Sequence, residues 1–156
     1  MKENPKRRYY LDANFLTAYF INNHEDHDKS KKLMFTLLKE KAELFISSLT
    51  LDETWYKVYE TLQRQIPKDQ RKPFKEFYIN LKAILKSILE FPNTKIIQFE
   101  NDLIGGVKNA LENIRNYNLR PRDAFHYAIM KDCDITLIVT KDKDFRGIPH
   151  IKTISF

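Results

Sequence analysis

Short apolar runs alternate with longer amphipathic segments along this chain, and no other feature narrows the possible folds as much. Leu44-Phe45-Ile46, Ile96-Ile97 and Ile135-Thr136-Leu137-Ile138-Val139 are compact apolar runs of the kind that form strands buried on both faces. Arg8-Tyr9-Tyr10-Leu11 reads as a further short strand, and His150-Ile151-Lys152-Thr153-Ile154 alternates apolar and polar residues as an edge strand does.

Helical patterns fill the spaces between the runs. Asp12-Ala13-Asn14 opens one that carries Phe15, Leu16, Tyr19 and Phe20, and Lys29 to Lys39 places Leu33, Met34, Leu37 and Leu38 on a single face. Ser47-Ser48-Leu49-Thr50 leads into a helix reaching about Arg64, with Trp55, Val58, Tyr59 and Leu62 as its apolar stripe and Pro67 beyond its end. The next begins near Lys72-Pro73 and runs to Leu89, turning Phe77, Leu81, Ile84, Leu85 and Ile88 inward until Phe91-Pro92-Asn93 breaks it. Asn101 to Asn113 reads as a helix despite Gly105-Gly106, and Pro121 suits the first turn of another.

The order is therefore β-α-α-β-α-α-β-α-α-β-β, and strands separated by helices require crossovers that cover both faces of a mostly parallel sheet. The expected architecture is α/β: a three-layer α/β/α sandwich around about five strands, with residues 1–156 forming a single domain and an extended helical pair at about 53–90. Ligands of such sheets bind at the carboxyl ends of the strands.

Bulk properties exclude several classes. Apolar residues at 42% with charges mixed throughout describe a globular chain rather than a disordered one. No apolar run approaches the ~18 residues of a membrane span, so a soluble, cytoplasmic protein is expected. Cys133 is the only cysteine, which leaves neither a disulfide framework nor a thiolate zinc site within one chain. A net charge of +6 suits an anionic partner such as nucleic acid, although a lysine-rich composition gives the same sign.

The carboxylates each have an ordinary reading. Asp12 fits an N-cap, Glu53 completes a capping box with Thr50, Asp123 sits where the helix macrodipole favours an anion, and Asp142 and Asp144 fit a turn. Their joint placement is less ordinary, since each lies just after a strand end or at the entry to the following helix. Doubly wound topology can bring Asp12, Glu53, Asp123 and Asp142 to one pocket. Like charges gathered there repel one another, so such a cluster persists when a hard divalent cation neutralises it. A cation so held activates water for attack on a phosphodiester.

Four segments carry a family resemblance: Tyr10-Leu11-Asp12-Ala13-Asn14-Phe15-Leu16, Ser47-Ser48-Leu49-Thr50-Leu51-Asp52-Glu53, Arg120-Pro121-Arg122-Asp123-Ala124-Phe125-His126-Tyr127-Ala128 and Val139-Thr140-Lys141-Asp142-Lys143-Asp144-Phe145. In this order and at strand-end positions, they resemble the PIN domain family, particularly the VapC-type toxin ribonucleases. The resemblance implies Asp12, Glu53, Asp123 and Asp142 as a catalytic, metal-holding quartet, with Asp144 as an accessory ligand and Asn14 and Thr140 as supporting polar residues. It also implies a Mg²⁺- or Mn²⁺-dependent endoribonuclease, a homodimer, and silencing by a small antitoxin protein.

Other features stay open between function and structure. Arg64, Lys68, Arg71, Lys72 and Lys75 around the tip of the helical pair can grip RNA or simply face solvent. His24 and His27, among Glu25, Asp26 and Asp28, fit a solvated loop better than a metal site, and His126 fits a packed or capping histidine better than a general base. Trp55, Tyr56, Tyr59, Phe74, Phe77 and Tyr78 suit a core or an interface more simply than base stacking. Rival functions are a housekeeping RNA-processing nuclease, a non-catalytic RNA- or protein-binding member of the fold, and a nucleotide-binding domain. The absence of a glycine-rich loop after the first strand weighs against the last of these.

Overall fold

The computed structural model describes residues 6–156, so Met1 to Pro5 of the basic start lie outside it. Five strands, β1 (Arg8–Leu11), β2 (Glu43–Ser47), β3 (Thr94–Ile97), β4 (Leu137–Val139) and β5 (Lys152–Ile154), form one sheet in the order β3-β2-β1-β4-β5. Every pairing is parallel, with Tyr10 opposite Phe45 on one side and Ile138 on the other. The helices are α1 (Ala13–Phe20), α2 (His27–Lys39), α3 (Ser48–Arg64), α4 (Tyr78–Glu90), α5 (Leu103–Tyr117) and α6 (Pro121–Asp132). Their order along the chain matches the expected one.

Strand pleating explains the three layers. Tyr9, Leu11, Leu44, Ile46 and Val139 point to one face, where they pack with Phe15 and Leu16 of α1, Met34 and Leu37 of α2, Val58 of α3 and Ile84 and Ile88 of α4. Tyr10, Phe45, Ile97 and Ile138 alternate to the opposite face and pack with Ala110 of α5 and Ala124, Tyr127 and Met130 of α6. Fully burying one such large side chain contributes about 1.5–3 kcal/mol, which fixes each strand's register because a one-residue slip would exchange the faces.

Several boundaries differ from the sequence expectation. The helix expected from Lys72-Pro73 starts instead at Tyr78, after a 3₁₀ turn at Phe74–Phe77. Pro73 has no N–H and biases Lys72 towards extended backbone, so regular helix is delayed. Between α3 and that turn lies a second 3₁₀ turn, Lys68–Gln70, following Pro67. Ile135 is buried but outside β4, because its N–H bonds back to Met130 at the end of α6. Helix α5 runs past Asn113 to Tyr117 and closes on Asn118 in the left-handed conformation, φ 54°. Gly106 within α5 has a packing reason, since a β-carbon there would collide with the Phe99 ring. Among the described residues, no helix is long and apolar enough to cross a membrane.

Candidate active site

Chain order runs outwards from β1 through β2 to β3, then returns to the other side of β1 for β4 and β5. The reversal opens a crevice at the carboxyl ends of β1 and β4, and Asp12 stands at its edge. Asp12 N-caps α1: its Oδ1 accepts the Ala13 N–H at 2.7 Å, and its Oδ2 accepts the Thr140 hydroxyl at 2.7 Å. The ordinary reading and the functional one therefore coexist in one side chain. Burial pushes the Asp12 carboxyl above its usual value, against the opposing pull of His126, Thr140, Lys57 and the Ala13 amide.

Thr140, at the end of β4, ties the crevice together. Having donated its proton to Asp12, its oxygen accepts from Asn14 Nδ2 at 3.0 Å and from the Asp142 N–H at 3.0 Å. That assignment turns the other amide atom of Asn14, Oδ1, away from Thr140. It is buried and has no hydrogen-bond partner among the described residues.

Glu53 comes from the first turns of α3, and here the sequence expectation needs correction. The capping box joins Ser47 and Thr50, not Thr50 and Glu53: Ser47 Oγ accepts the Thr50 N–H at 3.1 Å, and Thr50 Oγ1 accepts the Ser47 N–H at 3.4 Å. Helix α3 starts directly from β2, so Glu53 lies beyond the cap and is free to face Asp12. His126 Nε2 donates to Glu53 Oε1 at 3.3 Å, and Arg122 Nε lies 3.8 Å from the same oxygen. Burial alone would raise the Glu53 carboxyl, but His126, Lys57 and Arg122 together bring it below its ordinary value. His126 is fully buried, and its Nδ1 lies 2.6 Å from the Tyr10 hydroxyl, which also contacts Ser47 and Thr50. It is thus a packed histidine, as expected, whose partner is Glu53.

The remaining acids enter from the β4 side. Asp123 is in the first turn of α6 behind Pro121, while Asp142 accepts the Asp144 N–H at 2.8 Å and so starts the 3₁₀ turn Lys143–Phe145. Ligand atoms of Asp123, Asp142 and Asp144 all lie within 4.8 Å of one another, and those of Asp12, Glu53 and His126 do likewise. Burial, then the charges of Asp142, Asp12 and Asp144, push Asp123 up to about 6, with His126 opposing them. Because Asp123 feels both Asp12 and Asp142, the two groups share one electrostatic neighbourhood. The five carboxylates of the two groups, mostly buried or half-buried and self-repelling, form an all-oxygen donor set that fits a hard divalent cation.

A PIN domain family model matches residues 9–151. The chain belongs to the PIN domain family. No match was found among curated proteins. Among solved structures it is similar to VapC20 of Mycobacterium tuberculosis, described as a sarcin-ricin loop cleaving toxin, at 17% identity and TM-score 0.62, covering 88% of this chain and 92% of that one. A Rickettsia felis VapBC2 complex with a promoter DNA fragment gives 18% identity and TM-score 0.64 over 95% and 98% of the two chains. A Klebsiella pneumoniae toxin-antitoxin complex gives 19% identity and TM-score 0.58 over 93% and 96%. Likeness at these identities establishes the fold.

Three cations, Arg120, Arg122 and Lys57, surround the acids of this PIN domain, and a fourth, Lys141, follows Thr140; none of them was singled out from sequence. Arg122 also approaches Asp52 at 3.9 Å, Arg120 lies 3.7 Å from Asp144, Lys57 influences both Asp12 and Glu53, and Lys141 pairs with Asp26. The available signals were spacing of four between Glu53 and Lys57 on one helix, and adjacency of Arg122 to Asp123 and of Lys141 to Asp142. Of the expected RNA-binding cluster, Arg64 lines a cleft that also holds Asn14, whereas Lys68, Arg71, Lys72 and Lys75 lie exposed on the segment beyond α3. A cleft of about 450 Å³ between α1, α3 and α4 holds none of the acids. His24 Nδ1 accepts the Asp26 N–H at 3.1 Å and His27 Nδ1 donates to Ala18 O at 2.9 Å, so both serve local backbone structure. The aromatic residues tie the helical pair together, with Tyr59 centred 4.5 Å from Phe74 and 5.2 Å from Phe77.

Proposed function

We propose that this PIN domain is a Mg²⁺- or Mn²⁺-dependent endoribonuclease that hydrolyses RNA phosphodiesters, the toxin of a type II toxin-antitoxin pair. One observation carries the reading: Asp12 and Glu53 on one side, and Asp123, Asp142 and Asp144 on the other, converge at the carboxyl ends of β1 and β4 with their charges coupled through Asp123. Similarity to a toxin described as cleaving the sarcin-ricin loop, and to toxin-antitoxin complexes, supports the choice of RNA and of a small antitoxin partner.

Asp12, Glu53, Asp123 and Asp142 are the catalytic quartet that holds the cation, with Asp144 as a further ligand. When bound, the cation supplies Lewis acidity, acidifying the attacking water and offsetting charge on the phosphoryl oxygens. Thr140 and the Ala13 amide hold the Asp12 oxygens in place, and Asn14 braces Thr140. His126 fixes one oxygen of Glu53 and, with Lys57 and Arg122, keeps that carboxyl ionised and able to accept. Asp142 is oriented by its own turn, which leaves one carboxylate oxygen for a ligand. Residues 1–156 act as one unit, in the cytoplasm and as a homodimer.

Purified protein incubated with a mixed RNA pool and Mg²⁺ or Mn²⁺ tests the proposal, beside EDTA and Asp12→Asn controls. Asparagine caps a helix as well as aspartate does, so this variant keeps the fold while losing the charge. Cleavage that vanishes in both controls is expected. RNA binding without metal-dependent cleavage would move the chain to the non-catalytic members of the fold.

A further inference from the structure

Beside the acids lies an open cleft of about 290 Å³, walled by α1, α3, the loop before α2 and the segments after β4 and β5. We propose that it seats the nucleotide adjoining the scissile phosphate of a single-stranded RNA, with Lys57 and Arg64 on that nucleotide's phosphate and Asn14 on its ribose. The inference rests on the ribonuclease reading and assigns it a substrate subsite.

Charge comes first. Lys57 and Arg64 project from one face of α3, the face that also carries Glu53, and seven residues of helix separate them by roughly 10 Å along the axis. The row thus leads from the acids outwards along the cleft. Opposite it stands Lys141, directly after Thr140, whose ammonium is held by the buried carboxylate of Asp26. Lys141 and then Lys29 keep that carboxyl below its ordinary value, so Asp26 remains an anionic anchor. Glu60 pairs with Arg64 at 3.8 Å. Among the residues lining the cleft, three cations (Lys57, Arg64, Lys141) against two anions (Asp26, Glu60) leave a net positive wall. The loop Asn22 to Asp28, whose histidines serve local backbone structure, gains a task here: through Asp26 it fixes Lys141.

Shape and hydrogen bonding narrow the ligand. A cleft near the lower end of the ~300–1,000 Å³ usual for small-molecule sites takes one nucleotide unit and not a duplex. Asn14 joins the cleft to the acid network, donating to Thr140 while its Oδ1 stays buried and unpartnered among the described residues. A buried acceptor without a donor is costly, and a ribose 2′-hydroxyl is a donor that DNA lacks.

Binding of a short fluorescent single-stranded RNA, and of the DNA of the same sequence, to the full chain in Ca²⁺ across a salt series tests the assignment. Arg64→Ala should weaken RNA and DNA alike, by roughly threefold to tenfold, and flatten the slope of log affinity against log salt by about 0.7, the value of one single-strand phosphate contact. Asn14→Ala should abolish the preference for RNA over DNA and leave the salt slope unchanged. Arg64 is exposed, and Arg64→Gln retains its bulk, so a folding defect can be separated from a lost contact by circular dichroism. If wild type cuts the RNA pool while both Arg64 variants keep the wild-type slope and Asn14→Ala keeps the RNA preference, the subsite is wrong and the ribonuclease reading stands. If wild type neither binds nor cuts RNA, the reading itself fails and the subsite with it.

Discussion

Replacing Asp123 with asparagine should stabilise the metal-free protein at neutral pH while abolishing its cleavage of RNA. Asp123 is pushed from 3.8 to about 6 by burial and by Asp142, Asp12 and Asp144. Below pH 3.8 folded and unfolded chains both hold this proton. Between there and about 6 the folded chain keeps a proton that the unfolded chain has released, so stability falls as pH rises, and above 6 the full cost is present. Two units correspond to about 3 kcal/mol, which we discount to about 1–1.5 kcal/mol because the carboxyl is half in solvent and screened. Opposing this, loss of an anion from the first turn of α6 costs about 0.3–1 kcal/mol. Removing the desolvated, repelled charge therefore gains between nothing and about 1 kcal/mol, centred near 0.5 kcal/mol, a rise in Tm of about 1–2 °C for a chain of this size. Thermal denaturation of both proteins in EDTA at pH 7.5 and pH 4 measures it, and the advantage should vanish at the lower pH. Added Mg²⁺ should then raise the wild-type Tm more than that of the variant, because a ligand of the folded state stabilises by mass action. A variant less stable than wild type by the same amount at both pH values would refute the electrostatic argument.

Thr140→Val keeps the shape of the side chain but removes the donor to Asp12 and the acceptor for Asn14 and Asp142. Urea denaturation should show a loss of about 1–3 kcal/mol, and RNA cleavage should fall by roughly tenfold or more. Gly106→Ala drives a β-carbon into the Phe99 ring, so despite alanine's higher helix propensity it should cost about 1–3 kcal/mol by the same assay with catalysis unaffected per folded molecule.

The order and kind of the elements were readable because the patterns are local: a compact apolar run such as Leu44-Phe45-Ile46, against helical spacing in Leu33, Met34 and Leu37, follows from the geometry of the backbone itself. Pro121 announced its helix start for the same local reason. Boundaries were less legible where two local signals competed, as at Pro73, where an apolar helical pattern met a residue that cannot donate, and at Ser47, where a strand and a helix share one residue.

The site divides in the same way. Position at a strand end or helix start pointed to Asp12, Glu53, Asp123 and Asp142, and the family resemblance added Asp144, Asn14 and Thr140. It could not say that Glu53 faces Asp12 and is freed from its cap, that His126 reaches Glu53 across 73 positions, or that Asp26 holds Lys141 across the cleft. Those relations depend on side-chain direction after β1 lies between β2 and β4, and no local pattern encodes it. Composition and periodicity thus determined the layers and the chemistry available. Packing of distant segments alone decided which charges meet, because Coulomb energy and desolvation depend on separation in space and not along the chain.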